Sequence, residues 1–265
     1  MPLSLRRPVV CRCRSLPIRE TVCSQSRKRK PARMKISVVI PTLNEEGAIG
    51  AVVRAIPGDS VHEIIVVDNG STDNTAERAS SAGAKVIYEP RAGYGSACLA
   101  GAKAAAETDI LVFMDGDRSD DPQEIGKILG PIMENRADLV IGSRIKGNLE
   151  KGAMPFHGRL GNHVIVFLLR LLYGVSITDI GSFRAVKSQT LFSLKMEQMT
   201  YGWPVEMVVK AACEGLRILS VPVTYRRRIG QSKVTGTLRG AILATYYMFF
   251  VPLKYLFRAN PNRQE

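Results

Sequence analysis

Beyond residue 34 the chain alternates short aliphatic, β-branched runs with longer stretches of helical spacing. Residues 36–40, 63–67, 85–88, 109–114 and 138–141 read as strands, being near-continuous apolar runs bounded by turn residues. Helices are expected between them, near 45–55, 74–82, 95–106 and 122–134. Strands that are apolar throughout and alternate with helices predict an α/β fold, a mostly parallel open sheet with helices on both faces. Local end signals agree. Asp121-Pro122-Gln123-Glu124 reads as an N-cap, a proline in the first helical position and a capping glutamate. Residues 42–45 offer a similar start for the first helix. After residue 145 the regularity fades into a glycine-containing loop region at 147–158. Helices at 162–173 and 204–214 and a strand at 218–223 follow.

Two apolar stretches bear on membranes. Residues 164–172 are too few to cross a bilayer and include Arg170. Residues 241–257 sit at the lower limit for a spanning helix, with Pro252 and Lys254 near their end. This segment is expected to lie in the interface, with Arg239, Lys254 and Arg258 reaching for headgroups. A core helix or a homo-oligomer interface is the alternative. The formal charge of +13 suggests nucleic acid until it is divided: residues 1–33 hold ten Lys/Arg against Glu20 alone, so +9 of it lies there. Neither a zinc-finger nor an RNP-type pattern accompanies it, so no nucleic-acid partner is expected. An anionic membrane surface or a phosphorylated substrate suits the charge as well. The division expected is a basic, disordered extension at 1–33, an α/β domain at 34–236 and a membrane-proximal helix and tail at 237–265. The extension reads either as a transit peptide or as an over-extended start before Met34. The five cysteines show neither zinc-site nor disulfide-framework spacing.

Candidate chemistry gathers where three strands end. The first runs into Pro41-Thr42-Leu43-Asn44-Glu45-Glu46, the second into Asp68-Asn69-Gly70-Ser71, the fourth into Asp115-Gly116-Asp117. In a parallel sheet these clusters meet on one edge, where open α/β folds bind ligands. Any one of them alone is better explained as a cap or a turn. Two carboxylates held together repel unless a cation or a donor neutralises them. A hard divalent ion carrying a diphosphate would do so.

The ordered pieces VVIPTLNEE, IIVVDNGSTDNT, EPRAGYGSACLAG, VFMDGDRSDDP, LVIGSR, DIGSFRA, YGWPVEM and VPVTYRRRIGQSK resemble family 2 glycosyltransferases. Within that family they are most similar to the dolichyl- and polyprenyl-phosphate sugar synthases. The resemblance implies a GT-A nucleotide-sugar-binding fold and an inverting transfer of a hexose. The implied donor is of the UDP-glucose or GDP-mannose type, the acceptor a polyprenyl or dolichyl monophosphate, and the place the cytoplasmic face of a membrane. It implies that Pro41, Thr42, Asn44, Glu45 and Asp68 hold the donor. Asn69, Ser71, Gly93 and Gly95 complete that side, and Asn69 stands where the family often has a second acid. Asp115 and Asp117 would bind Mg²⁺ or Mn²⁺, with Ser119 in place of a stronger third ligand found in some relatives. Arg144 and Arg184 would lie near the acceptor phosphate, and Arg228 and Lys233 would close over the diphosphate. Glu206 is a positioning residue if the acceptor is a phosphate and a general base if it is a hydroxyl. Asp179 is a second acidic candidate. Two other readings stay open: a saccharide or other hydroxyl acceptor, and a non-catalytic basic module that binds a membrane or nucleic acid.

Overall fold

Apolar residues alternate between two faces of one sheet and supply a core to each. The computed structural model describes residues 34–105, 107–230 and 238–258; the expected 1–33 extension and Lys233 lie outside them. The strands are β1 (Ile36–Thr42), β2 (Glu63–Asp68), β3 (Lys85–Tyr88), β4 (Ile110–Phe113), β5 (Leu139–Ser143), β6 (Arg184–Lys187) and β7 (Ile218–Pro222). The helices are α1 (Ile49–Ala55), α2 (Thr75–Ser81), α3 (Tyr94–Ala104), α4 (Ile125–Met133), α5 (Phe156–Tyr173), α6 (Ser188–Ser193), α7 (Trp203–Cys213) and α8 (Leu238–Arg258).

Among the described residues the strands form one sheet in the order β3-β2-β1-β4-β6-β5-β7. β6 runs antiparallel to β4 and β5, and the other neighbouring pairs are parallel. The sheet is therefore mostly parallel, as the alternating pattern predicts. Val39, Val67, Leu111, Phe113 and Ile141 face α3, α5 and α7, while Val38, Ile40, Val66, Val112 and Val140 face α1 and α4. This period of two, buried on both sides, is what made the strands read as unbroken apolar runs. Chain order reverses between β1 and β4, which opens a crevice at the carboxyl ends of those two strands.

Several expectations need correction. β6 and α6 were not foreseen. α1 begins at Ile49 rather than near residue 45, because Asn44 takes φ 54° and the Glu45 carbonyl accepts the amides of Ala48 and Ile49 in a separate turn. Asp121 does cap, accepting from the Gln123 amide at 3.2 Å. Glu124 does not reach back to it; its carboxylate accepts from the Thr224 amide and hydroxyl at 2.6 and 3.0 Å. α5 ends at Gly174, whose φ of 68° suits a residue without Cβ. α8 continues through Pro252, and no helix among the described residues is long and apolar enough to cross a membrane. The Lys254 ammonium does not point outward for headgroups: it pairs with Glu197 at 2.8 Å.

Candidate active site

The ends of β1 and β2 are level, Thr42 opposite Asp68, and hydrogen bonds then stitch the two following loops together. The Thr42 hydroxyl donates to the Val67 carbonyl at 3.0 Å. Asn44 gives its amide to Ser71 Oγ and accepts from the Thr72 amide. Asp68 accepts from the Ser71 amide at 2.9 Å, an Asx turn. Asn69 uses both ends of its side chain. Its Nδ2 donates to the carbonyls of Glu89 and Arg91, and its Oδ1 accepts from the Gly93 amide at 2.7 Å. A carboxylate could accept there but could not donate. The amide thus fastens the 89–93 loop, which is a physical reason for asparagine at this position.

Below these loops lies a cavity of about 490 Å³. Pro41, Thr42, Glu45, Asn69, Gly93, Asp115, Asp117, Arg144 and Arg228 of the expected set line it. Asn44, Asp68, Ser71, Gly95, Arg184 and Glu206 do not. Gly93 and Gly95 were expected on the donor side, and of the two Gly93 lines the cavity. Both also admit the chain itself. A Cβ on Gly93 would run into the Met199 carbonyl and one on Gly95 into the backbone of Gln198 and Met199, and the Met199 carbonyl accepts the Ser96 amide at 2.9 Å.

Asp115 follows β4 at the crevice. Its carboxylate accepts from Ser182 Oγ at 2.8 Å, and its amide donates to Asp120 at 3.1 Å. Burial, and then the charge of Asp117, push the Asp115 carboxyl up to about 6 despite the Ser182 bond. Asp120 is raised too, by burial and by Asp115, and its Oδ1 has no hydrogen-bond partner among the described residues. Asp117 accepts the Ser119 amide at 2.9 Å and pairs with Arg228 at 3.0 Å. Arg226 and Arg228 both reach the 117–121 loop, Arg226 through Asp121 at 2.6 Å, whereas Arg227 turns to Glu150. Ser182 and Asp120 were missed as site residues. Asp120 was visible only as part of an acidic turn, and Ser182 stood beside the more conspicuous Arg184.

Two oxygen-rich side chains that repel each other, one already drawing in a guanidinium, suit a hard divalent cation. Among the described residues no group of three or more His, Cys, Asp or Glu could hold a metal. The aspartate pair would therefore need ligand oxygens and water to complete a shell. Ser119, buried and with no partner for its Oγ among the described residues, adds no acid to the set.

The remaining candidates sit differently. Arg144 lies on the cavity wall, bound to Asp179 through Nε at 2.9 Å and Nη2 at 2.7 Å, with its guanidinium 5.1 Å above the Tyr225 ring. Burial opposes its charge, but Asp179 holds the guanidinium above its ordinary range. Arg184 is fully buried behind the wall, donating to the carbonyls of Gly181 and Pro204. Glu206 is also fully buried, and its oxygens accept from the Glu197 and Gln198 amides and the Tyr255 hydroxyl. Trp203 packs edge-on against Phe113 in the core, at 6.3 Å between ring centres.

Known proteins resemble this chain in sequence and in fold. Residues 37–192 match the family described as glycosyl transferase family 2. The chain is 39% identical over 212 residues to an uncharacterized glycosyltransferase of Mycobacterium tuberculosis, covering 79% of this chain and 94% of that one. It is 33% identical over 211 residues to a dolichyl-phosphate hexose transferase of Haloferax volcanii, covering 78% and 90%. Among solved structures it is similar to the glucosyl-3-phosphoglycerate synthase of Mycobacterium tuberculosis in complex with Mn²⁺, UDP-glucose and phosphoglyceric acid. There the TM-score is 0.68 and the identity 25%, over 84% of this chain and 80% of that one. The same synthase has been crystallised with Mg²⁺ and UDP.

The chain belongs to glycosyl transferase family 2, and it is a glycosyltransferase with a GT-A fold.

Proposed function

We propose that this family 2 glycosyltransferase moves a hexose from a nucleoside-diphosphate sugar to a polyprenyl monophosphate at a membrane surface. The carrying observation is how the acids of the site are used. The carboxylates lining the cavity are Glu45 and the Asp115/Asp117 pair, while Asp179 and Glu206, the other candidates for a general base, are engaged by donors. An alcohol acceptor needs its proton removed as it attacks; a phosphate monoester is already anionic and needs no such group.

The donor's nucleoside end suits the Pro41–Glu45 side of the cavity, and its diphosphate suits Asp115, Asp117 and Arg228. When bound between them, a Mg²⁺ or Mn²⁺ ion supplies Lewis-acid neutralisation of the departing diphosphate. Arg144, aimed by its two bonds to Asp179, offers a guanidinium to the acceptor phosphate. A phosphate oxygen attacks the anomeric carbon from the far side. The bond from that carbon to the diphosphate oxygen breaks with its electron pair on the oxygen, so the configuration inverts. No proton has to move.

The acceptor's isoprenoid must come from a bilayer, and an apolar face adjoins the cavity. On α5, Phe156, Leu160, Val164, Phe167 and Leu171 repeat at helical spacing and are exposed. On α8, which packs against α5, Tyr246, Phe249, Phe250 and Leu253 are exposed while Met248 reaches the cavity wall. Together they favour a peripheral enzyme resting on lipid through two helices.

The likeness to a synthase crystallised with phosphoglyceric acid favours a second reading, a small phosphorylated acid as acceptor. Incubation with Mn²⁺ and a panel of nucleotide sugars separates the two. Release of nucleoside diphosphate stimulated by polyprenyl phosphate in vesicles, and by neither phosphoglyceric acid nor free sugars, is the expected result. Stimulation by soluble acceptors alone would eliminate the lipid.

A further inference from the structure

Glu206 stands on the first turn of α7 with 0% of its surface exposed, away from the cavity. An unpaired carboxylate is costly to bury. Here both oxygens are well supplied. The Glu197 amide lies 2.9 Å from Oε1 and 3.1 Å from Oε2, the Gln198 amide 2.7 Å from Oε2, and the Tyr255 hydroxyl 2.6 Å from Oε1. Lys210 Nζ, one turn along α7, is 3.1 Å away. One side chain therefore joins three pieces of the molecule: α7, the 196–201 segment and α8.

That segment is the rim of the cavity. Thr200 and Tyr201 line it, and the preceding carbonyl of Met199 takes both the amide and the hydroxyl of Ser96, at 2.9 and 3.1 Å. Gly93 and Gly95 exist without side chains where the Gln198–Met199 backbone presses on α3. On the far side, Tyr255 belongs to the same helix as Met248 in the cavity wall and as the exposed Tyr246, Phe250 and Leu253. Lys254 adds a second tie from α8, to Glu197 at 2.8 Å.

We propose that Glu206 is a positioning residue for the transfer: through Tyr255 it locks the 196–201 rim, and with it the start of α3, to α8, so that the shape of the donor cavity depends on α8 being seated. This rests on reading the cavity as the donor site. It assigns Glu206 neither proton transfer nor contact with substrate.

The test compares the wild-type chain with Tyr255→Phe, which removes the hydroxyl's ties to Glu206 and Glu197, and with Glu206→Gln, which disturbs the whole knot. Hydrogen exchange reads the architecture without any ligand. In Tyr255→Phe the amides of Ser96, Glu197 and Gln198 should lose protection together, roughly tenfold or more, while the thermal midpoint stays within a few degrees. Binding of uridine and guanosine diphosphates with Mn²⁺ should weaken several-fold in the same variant, and donor KM should rise with kcat nearly unchanged. Loosening confined to α8 overturns the proposal. So does a Glu206→Gln protein that keeps wild-type exchange and donor affinity but loses kcat, since that is the behaviour of a base. If the wild-type chain binds neither diphosphate, the donor-site reading fails, and the exchange data still decide whether the knot exists.

Discussion

Asp115 and Asp117 on one side, and Asp179 and Glu206 on the other, are the same chemical group in four sheltered places, yet they are treated in opposite ways. Asp179 accepts three bonds from Arg144, one from its amide and two from its guanidinium. Glu206 accepts from two amides and a phenol beside a lysine. Asp115 receives one hydroxyl and faces Asp117, so burial and like charge raise its carboxyl to about 6. A saturated carboxylate holds structure, whereas Asp115, under-compensated beside Asp117 and opening on a cavity, is suited to recruiting a cation. The difference cannot be seen from residue type; it is seen from the donors around each oxygen.

The largest expected effect breaks the under-compensated side. Asp117→Ala should cut nucleoside-diphosphate release by about two to three orders of magnitude, the size expected when charge stabilisation of a leaving group is lost. Its thermal midpoint without metal should not fall much, since repulsion is removed along with the Arg228 pair. Asp179→Ala should do the reverse to stability. It leaves the half-buried Arg144 guanidinium without its partner and should cost about 1–3 kcal/mol in denaturant unfolding. Asn69→Asp should cost about 1–3 kcal/mol, because the carbonyls of Glu89 and Arg91 lose their donors.

A pH series sharpens the contrast. The folded-state pKa of Asp115 is raised, so ionising it weakens the metal-free fold as pH climbs from its ordinary 3.8 to about 6. In chelator, Asp115→Asn should match the wild type near the lower limit, gain thermal stability across that window and level off above it. Added Mn²⁺ should remove the gain. The smallest effect is at Arg228. Arg228→Gln should tighten binding of Mn²⁺ alone a few-fold, a change of roughly 1 kcal/mol, because a competing cation leaves Asp117. Donor KM should move the other way, since on the proposed reading the same guanidinium would face the diphosphate.

Much of this was legible in sequence because it is local. Apolar runs located β1 to β5 and β7, and the clusters after β1, β2 and β4 marked the edge where the cavity lies. β6 was hidden because its four residues include Arg184, a charge that argues against a central strand until its partners at Gly181 and Pro204 are seen. Glu206 was legible as an acid but not as a knot: its partners come from 9 and 49 residues away. Gly93 and Gly95 were legible as a close approach, since glycine permits one, but nothing nearby says that residues 198–199 press there as well. Lys254 looked like an interfacial anchor for the same reason, its Glu197 partner being 57 positions distant.

The contrast between saturated and unsaturated carboxylates is tested most directly by Mn²⁺ titration followed by electron paramagnetic resonance, with and without nucleoside diphosphate. The expected result is one Mn²⁺ per chain, bound far more tightly once the diphosphate is present, lost in Asp115→Asn and Asp117→Ala, and retained in folded Glu206→Gln, with at most several-fold weakening where the diphosphate is present. Mn²⁺ binding that survives both aspartate substitutions, or that is indifferent to the diphosphate, would contradict the account.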